Sequence, residues 1–110
     1  MDAINPEQAL RHNEGKPQWH LVHFPSLIPL VKVLEYGAQK YAPNNWKKGA
    51  PREQYLDCAM RHLAELMEGK EMDEESKQHH MGHVMANAMM YVYHYDAINT
   101  KNELKANPVQ

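Results

Sequence analysis

Apolar residues recur along most of this chain at intervals of three and four, and strand-like alternation is essentially absent. That is the signature of amphipathic helices. After Pro25-Ser26, a helix start, Leu27, Leu30, Val31, Val33, Leu34 and Ala38 keep helical spacing and predict a first helix from about Ser26 to Tyr41. Gly37 inside it either costs roughly 1 kcal/mol relative to alanine or marks a close helix approach. Residues 42–51 (APNNWKKGAP) hold prolines, a glycine and an Asn-Asn pair, which break helix and make a loop. Pro51 suits the first turn of a second helix, from about Arg52 to Met67, whose apolar set is Tyr55, Leu56, Ala59, Met60, Leu63, Leu66 and Met67. Gly69 ends it. Asp73 then reads as the N-cap of a long third helix reaching about Asn99, with Glu74 and Glu75 favourable in its first turn. The expected fold is all-α, with three main helices in an antiparallel bundle. Residues 1–15 form a flexible polar arm, 16–99 a single helical domain and 100–110 a polar tail.

The third helix breaks the usual rule for a buried stripe. Asp73, Ser76, His80, His83, Asn87, Met90 and His94 share one arc of the helical wheel, beside an apolar arc of Met81, Val84, Met85, Ala88, Val92 and Tyr95. On the second helix His62 shares a face with Tyr55, Ala59 and Leu66, and Glu65 follows close behind. Antiparallel packing of the two helices would set His62 and Glu65 opposite His80 and His83, as in bundle-core metal sites. Such buried groups need partners, which are each other, a metal or a ligand. A single histidine on a buried face is ordinarily a hydrogen-bonded core residue, and His94 is read that way. His79 is read as solvent-facing, and the methionines as adaptable core filler.

Composition narrows the partners. A net charge of −2 with 24% charged residues argues against a nucleic-acid polymer or a polybasic membrane surface. The lone Cys58 rules out an internal disulfide and fits a reducing compartment. No stretch approaches the roughly 20 apolar residues of a membrane span, and no secretory signal is visible, so a cytoplasmic location is expected. Eight histidines and eight methionines accompany a single Phe. Upstream, Lys16, Lys40 and Lys47 supply cations for phosphates, and Tyr41 and Trp46 supply planar rings for a base. Alternatively, Trp46 simply packs on the core. Arg61 reads as a surface ion pair or a phosphate contact. No phosphate loop, Rossmann glycine pattern, zinc-finger spacing or nucleophile elbow is present. A domain this small gains from self-association, and the far face of the third helix (Met89, Ala86, Tyr93) is expected to be only partly covered. A homo-oligomer follows.

Five motifs occur in an order that resembles a known family. They are Asn13-x-Gly15-Lys16-Pro17, Gly37-Ala38-x-Lys40-Tyr41, Asn45-Trp46-x-x-Gly49, Arg61-His62-Leu63, and Gly69-x-x-x-Asp73-x-Glu75-Ser76 followed by His80-x-x-His83-x-x-x-Asn87. Spanning residues 13–95, they resemble the phage and bacterial dATP/dGTP diphosphohydrolase-like family, similar in style to the all-α, MazG-like NTP pyrophosphatases. The family tends to have glycine where Lys77 and Ala42 stand here, and the Glu-Glu-x-x-Glu helix of typical MazG-like enzymes is absent.

The resemblance implies a nucleotide pyrophosphohydrolase that converts dATP or dGTP to monophosphate and pyrophosphate in the host cytoplasm of a phage. In that reading Glu65, Asp73 and Glu75 hold Mg²⁺. His62, Glu65, His80 and His83 form the catalytic set. Lys16, Lys40, Tyr41, Asn45, Trp46, Lys47, Arg61 and Asn87 bind substrate. Two alternatives stand beside it. One is a non-catalytic binder that sequesters a nucleotide-derived immune signal as an anti-defence protein. The other is a His-rich metal-binding helical protein.

Overall fold

The computed structural model describes the backbone of residues 7–106 and the side chains through Tyr95. Within that span the fold is all-α. Helix α1 covers Ile28–Lys40, α2 covers Arg52–Met67 and α3 covers His80–Ala106, with 3-10 turns at Trp19–Leu21, Phe24–Leu27 and Asn45–Lys48. Extended pairing among the described residues is limited to an isolated antiparallel bridge between Met72 and His79. No described helix is long and apolar enough to cross a membrane.

The first helix starts slightly later than its apolar spacing predicts. Phe24–Leu27 wind as a 3-10 turn, and Pro29 then occupies the first turn of α1, where its missing N–H costs nothing. The second helix keeps the expected bounds. The third departs most, starting at His80 rather than Asp73. Lys77 has φ 63, a left-handed conformation that a right-handed helix cannot contain, and the Met72–His79 bridge closes residues 72–79 into a tight hairpin. At its far end α3 continues to Ala106, because no Gly or Pro interrupts residues 100–106. The expected polar tail therefore begins as helix, and its residues 107–110 lie outside the described residues, as do residues 1–6 of the expected arm.

Helices α2 and α3 run antiparallel, as the pairs Tyr55–His94, Cys58–Asn87 and His62–His80 show. Helix α1 lies across the start of α3. A Cβ built at Gly82 would sit 2.4 Å from the Pro29 carbonyl oxygen and 3.1 Å from Val33 Cγ2, so the two backbones approach through a glycine. Gly37, the other candidate for a close approach, has nothing within 4 Å of its Cβ position.

The apolar core is small. Among the described residues, Val33, Tyr55 and Ala86 are the buried hydrophobic ones. Ala86, expected on a poorly covered face, is 1% exposed, because α1 packs on that side of α3. The uncovered apolar surface lies elsewhere. Leu56, Met60, Leu63 and Met67 follow one another at spacings of four, three and four on α2, and all four are exposed. Arg52 begins the same stripe and reaches across to α3, where its Nε donates to the Tyr91 hydroxyl.

The two glycines generate opposite expectations. Gly82→Ala should destabilise the fold by about 1–3 kcal/mol or more, since the methyl meets backbone rather than a movable side chain. Gly37→Ala should stabilise it by roughly 1 kcal/mol, because the helix gains propensity and the methyl meets nothing. Denaturant midpoints of the two variants measure both.

Candidate functional site

The hairpin 72–79 is built around one carboxylate. Asp73 Oδ2 accepts the Ser76 backbone N–H and the Ser76 hydroxyl, both at 2.8 Å. The Asp73 N–H donates to the Gln78 carbonyl, the Lys77 N–H to the Asp73 carbonyl, and the His80 N–H to the Glu71 carbonyl. Asp, Ser and a left-handed residue suit such a turn because short side chains replace the helical hydrogen bonds that the backbone forgoes. The hairpin thus delivers His80 as the first residue of α3.

Proton directions follow from the Ser76 hydroxyl, which has one hydrogen. It donates to Asp73, so at 2.6 Å from His83 Nε2 it accepts, and His83 carries its proton on Nε2. A relay runs from His83 through Ser76 to Asp73. Ser76 is 5% exposed and its hydrogen is committed, which removes it as a nucleophile. Across the helix seam, His62 Nδ1 and His80 Nδ1 stand 2.8 Å apart, one donating and the other accepting. The His62 ring also stacks on His83, with centroids 4.2 Å apart and planes within 5°. Asn87 continues the seam, donating to the His83 carbonyl at 2.8 Å and lying 3.4 Å from Cys58 Sγ.

Burial pushes both His62 and His83 below the ordinary imidazole pKa, and positive neighbours, His80 for His62 and His62 for His83, add to it. Asp73 pulls the other way and does not prevail. Burial also raises the Asp73 carboxyl, but the two Ser76 hydrogen bonds and the adjacent imidazoles outweigh it and hold the group below its usual range. At neutral pH the lowered His62 and His83 favour their uncharged forms beside the Asp73 carboxylate. One ligand atom each from His62, Asp73 and His80 falls within 4.8 Å of the others, a grouping that can hold a metal ion.

This cluster borders an open cleft of about 1020 Å³. His62, Asp73, Glu75, His83 and Asn87 line the same cleft as Lys40, Tyr41, Asn45, Trp46, Lys47 and Lys48, and Lys40 joins the two groups through its contact with Glu75. Trp46 is half-buried. It borders the cleft, and its ring meets Tyr93 edge-on at 5.0 Å.

Against known proteins, residues 6–104 match the family model described as dATP/dGTP diphosphohydrolase, N-terminal. The chain belongs to that family. A relative from Salmonella phage PMBT28 named dATP/dGTP diphosphohydrolase is 31% identical over 84 residues, which is 76% of this chain and 28% of the relative. The chain therefore spans under a third of that relative's length. No solved structure matches.

Lys77, where the resemblance leads one to expect glycine, has φ 63, a conformation that glycine adopts without strain. Ala42, the other departure, does not adopt a positive φ.

The cleft gathers most of the residues expected to act together, but not all. Glu65 pairs with Lys70 at 3.4 Å, and Glu75 with Lys40 and the Tyr36 hydroxyl, so neither belongs to the metal-capable group with Asp73. Of the expected carboxylate set Glu65, Asp73, Glu75, only Asp73 falls in the metal-capable group, which it forms with His62 and His80. The reason is the hairpin, which turns Glu75 toward α1 instead of along the helix. His80 is only 4% exposed and sits behind His62 rather than on the cleft surface. Arg61 borders a smaller neighbouring cavity of about 340 Å³, and Lys16 is exposed and lines neither cavity. His94, half-buried, donates from Nε2 to the Trp46 carbonyl and stacks on Tyr55, in line with its reading as a hydrogen-bonded packing residue. His79 is not free in solvent, since its Nε2 contacts Glu71 Oε2 at 2.8 Å. Sequence reasoning missed Tyr36, Gln54 and Cys58 as cleft residues; only the chain fold reveals them.

The depressed imidazoles fix a direction for acid stability. Well above pH 6.5, the ordinary imidazole value, neither folded nor unfolded chain binds these protons, and no slope arises. Below it the unfolded chain takes up protons that the folded His62 and His83 resist, so stability falls as pH drops from 6.5 toward the folded values. Asp73 adds its own loss only below 3.8. Thermal midpoints of metal-free protein should be flat above pH 7 and decline below pH 6.5, and His83→Gln should flatten that decline. A midpoint rising toward acid would contradict the assignment.

Proposed function

We propose that this chain carries the nucleotide site of a phage-encoded purine deoxynucleoside triphosphate diphosphohydrolase. The substrate is dATP or dGTP, and the products are the monophosphate and pyrophosphate. The observation that carries the proposal is one cleft lined by both a His–carboxylate group and a Lys–aromatic group, in a member of this family. Water attacks the α-phosphorus, a P–O bond to it forms, the bond to the pyrophosphate oxygen breaks, and the water proton passes to a base. Neutral His83, linked through Ser76 to Asp73, is suited to orient that water or accept its proton. Lys47 and Lys48 meet phosphate oxygens, Tyr41 and Trp46 border the base, and Asn45 and Asn87 offer amides to the sugar and phosphates. Lys40, engaged with Glu75, braces the rim.

Charge balance calls for a divalent ion. The cleft sets Lys40, Lys47 and Lys48 against Glu35, Asp73 and Glu75, so the protein alone offers no surplus for a triphosphate. A bound cation would neutralise the phosphates and lower the pKa of a bound water. Mg²⁺ bound to the nucleotide's own oxygens fits this reading. A cytoplasmic deoxynucleotide pool is where such an enzyme works.

Incubating the protein with dATP, dGTP and the ribonucleotides, with and without a divalent ion, tests the proposal. Metal-dependent release of pyrophosphate from the purine deoxynucleotides is expected. His83→Gln should cut the rate by roughly 10²-fold or more, with Lys47→Ala acting more on KM. Retention of nucleotide without pyrophosphate release would turn the reading from catalysis to capture.

The same reading includes a homo-oligomer. The exposed Leu56, Met60, Leu63 and Met67 stripe has the spacing of a coiled-coil seam and lies opposite a monomer core of very few buried side chains. Light scattering should return a dimer or larger assembly at micromolar concentration. Met60→Glu combined with Leu63→Glu should dissociate it, and a monomeric wild-type protein would refute it.

A further inference from the structure

We propose that His62, Asp73 and His80 bind one divalent first-row transition ion, such as Mn²⁺, Fe²⁺, Co²⁺ or Zn²⁺, in preference to Mg²⁺. This deepens the nucleotide-hydrolase reading by naming the ion held on the protein. It replaces the all-carboxylate Mg²⁺ site that the sequence suggested.

Three independent features of the site support it. The first is distance. Donors about 2.1 Å from a common ion stand roughly 3.0–3.4 Å apart in octahedral or tetrahedral geometry. The Nδ1 atoms of His62 and His80 stand 2.8 Å apart, and the Asp73 oxygen completes a group within 4.8 Å. A few tenths of an ångström of ring movement would open the pair around an ion. The second is donor chemistry. Mg²⁺ takes oxygen ligands and keeps its waters, whereas imidazole nitrogen with a carboxylate suits the transition series. The third is support around the ligands. Both Ser76 bonds fall on Asp73 Oδ2 and orient the carboxylate, leaving Oδ1 outside that pair of bonds. The His62 plane is fixed by its stack on His83, and His80 is anchored by its backbone bond to Glu71. Holding ligands by such outer contacts is how metal sites gain affinity.

Proton balance is simple. The imidazole pair shares one proton between its facing nitrogens, and an ion entering there displaces that proton to the second nitrogen of the donating ring or to solvent. Three protein ligands leave further coordination positions open for water and phosphate oxygen.

Chelator-treated full-length protein would be titrated with Co²⁺ by visible absorption, and with Mn²⁺, Zn²⁺ and Mg²⁺ by calorimetry. One equivalent of transition ion should bind at least about 100-fold more tightly than Mg²⁺. His62→Ala and His80→Ala should each weaken binding more than about tenfold, while Glu65→Gln and Glu75→Gln should stay within about twofold. Circular dichroism checks that each variant folds. If a histidine variant does not fold, Mn²⁺ broadening of the His62 and His80 ring resonances in the wild-type protein decides the question, and unbroadened rings overturn the proposal. Equal or tighter Mg²⁺ binding, or affinity indifferent to both histidines, also overturns it. Pyrophosphate release with Mg²⁺ alone and no transition-ion binding would sink this inference and leave the hydrolase standing. Co²⁺ binding through the histidines without nucleotide turnover would do the reverse.

Discussion

The grip of the Asp73 carboxylate on Ser76 is the interaction on which the site depends. Two hydrogen bonds from one residue to one oxygen hold a hairpin that would otherwise be a loose link between α2 and α3. That hairpin sets where α3 begins, and the start of α3 sets which way His80 and His83 face. Without it the imidazoles would have no fixed relation to His62. The same oxygen terminates the relay from His83, so the element that shapes the backbone also sets the proton arrangement. Hydrogen bonds to a carboxylate are worth more than neutral ones, roughly 1.5–3 kcal/mol, which suits one residue to both tasks.

Placing a polar seam inside a helix pair displaces apolar packing. His62, His80, His83 and Asn87 occupy positions that leucine or valine would fill in a purely structural bundle, and the buried apolar set is correspondingly small. Each polar group compensates by finding a partner. No buried side-chain nitrogen or oxygen among the described residues lacks one. The arrangement also explains why the apolar surface is displaced outward onto the Leu56–Met67 stripe, where a second surface rather than the chain itself would cover it.

The close passage of α1 over Gly82 closes the third side of the cleft. With backbone against backbone there, the C-terminal end of α1 is carried to the hairpin, where Lys40 and Tyr36 meet Glu75. The loop after α1 then lines the cleft, with Trp46 held against Tyr93 and its carbonyl held by His94. The cation and aromatic group is therefore positioned by contacts away from His62, His80 and His83, together with the Lys40–Glu75 pair that ties it to the hairpin.

Sequence periodicity by itself determined the helical class, the bounds of α2 and the common arc of His80, His83 and Asn87, because helix geometry follows from local spacing alone. Opposition of His62 to that arc was legible too, since a short link between amphipathic helices forces them antiparallel. What the chain did not disclose locally was the hairpin. Asp73-Glu74-Glu75-Ser76 reads equally well as a helix start or as a side-chain-capped turn, and the choice depends on a bridge between Met72 and His79 and on the left-handed Lys77. That choice turned Glu75 to Lys40 and left Asp73 beside two imidazoles. Tertiary structure likewise decided which glycine marks the helix crossing, because a missing Cβ matters only where another backbone arrives, and no spacing along one chain records that arrival.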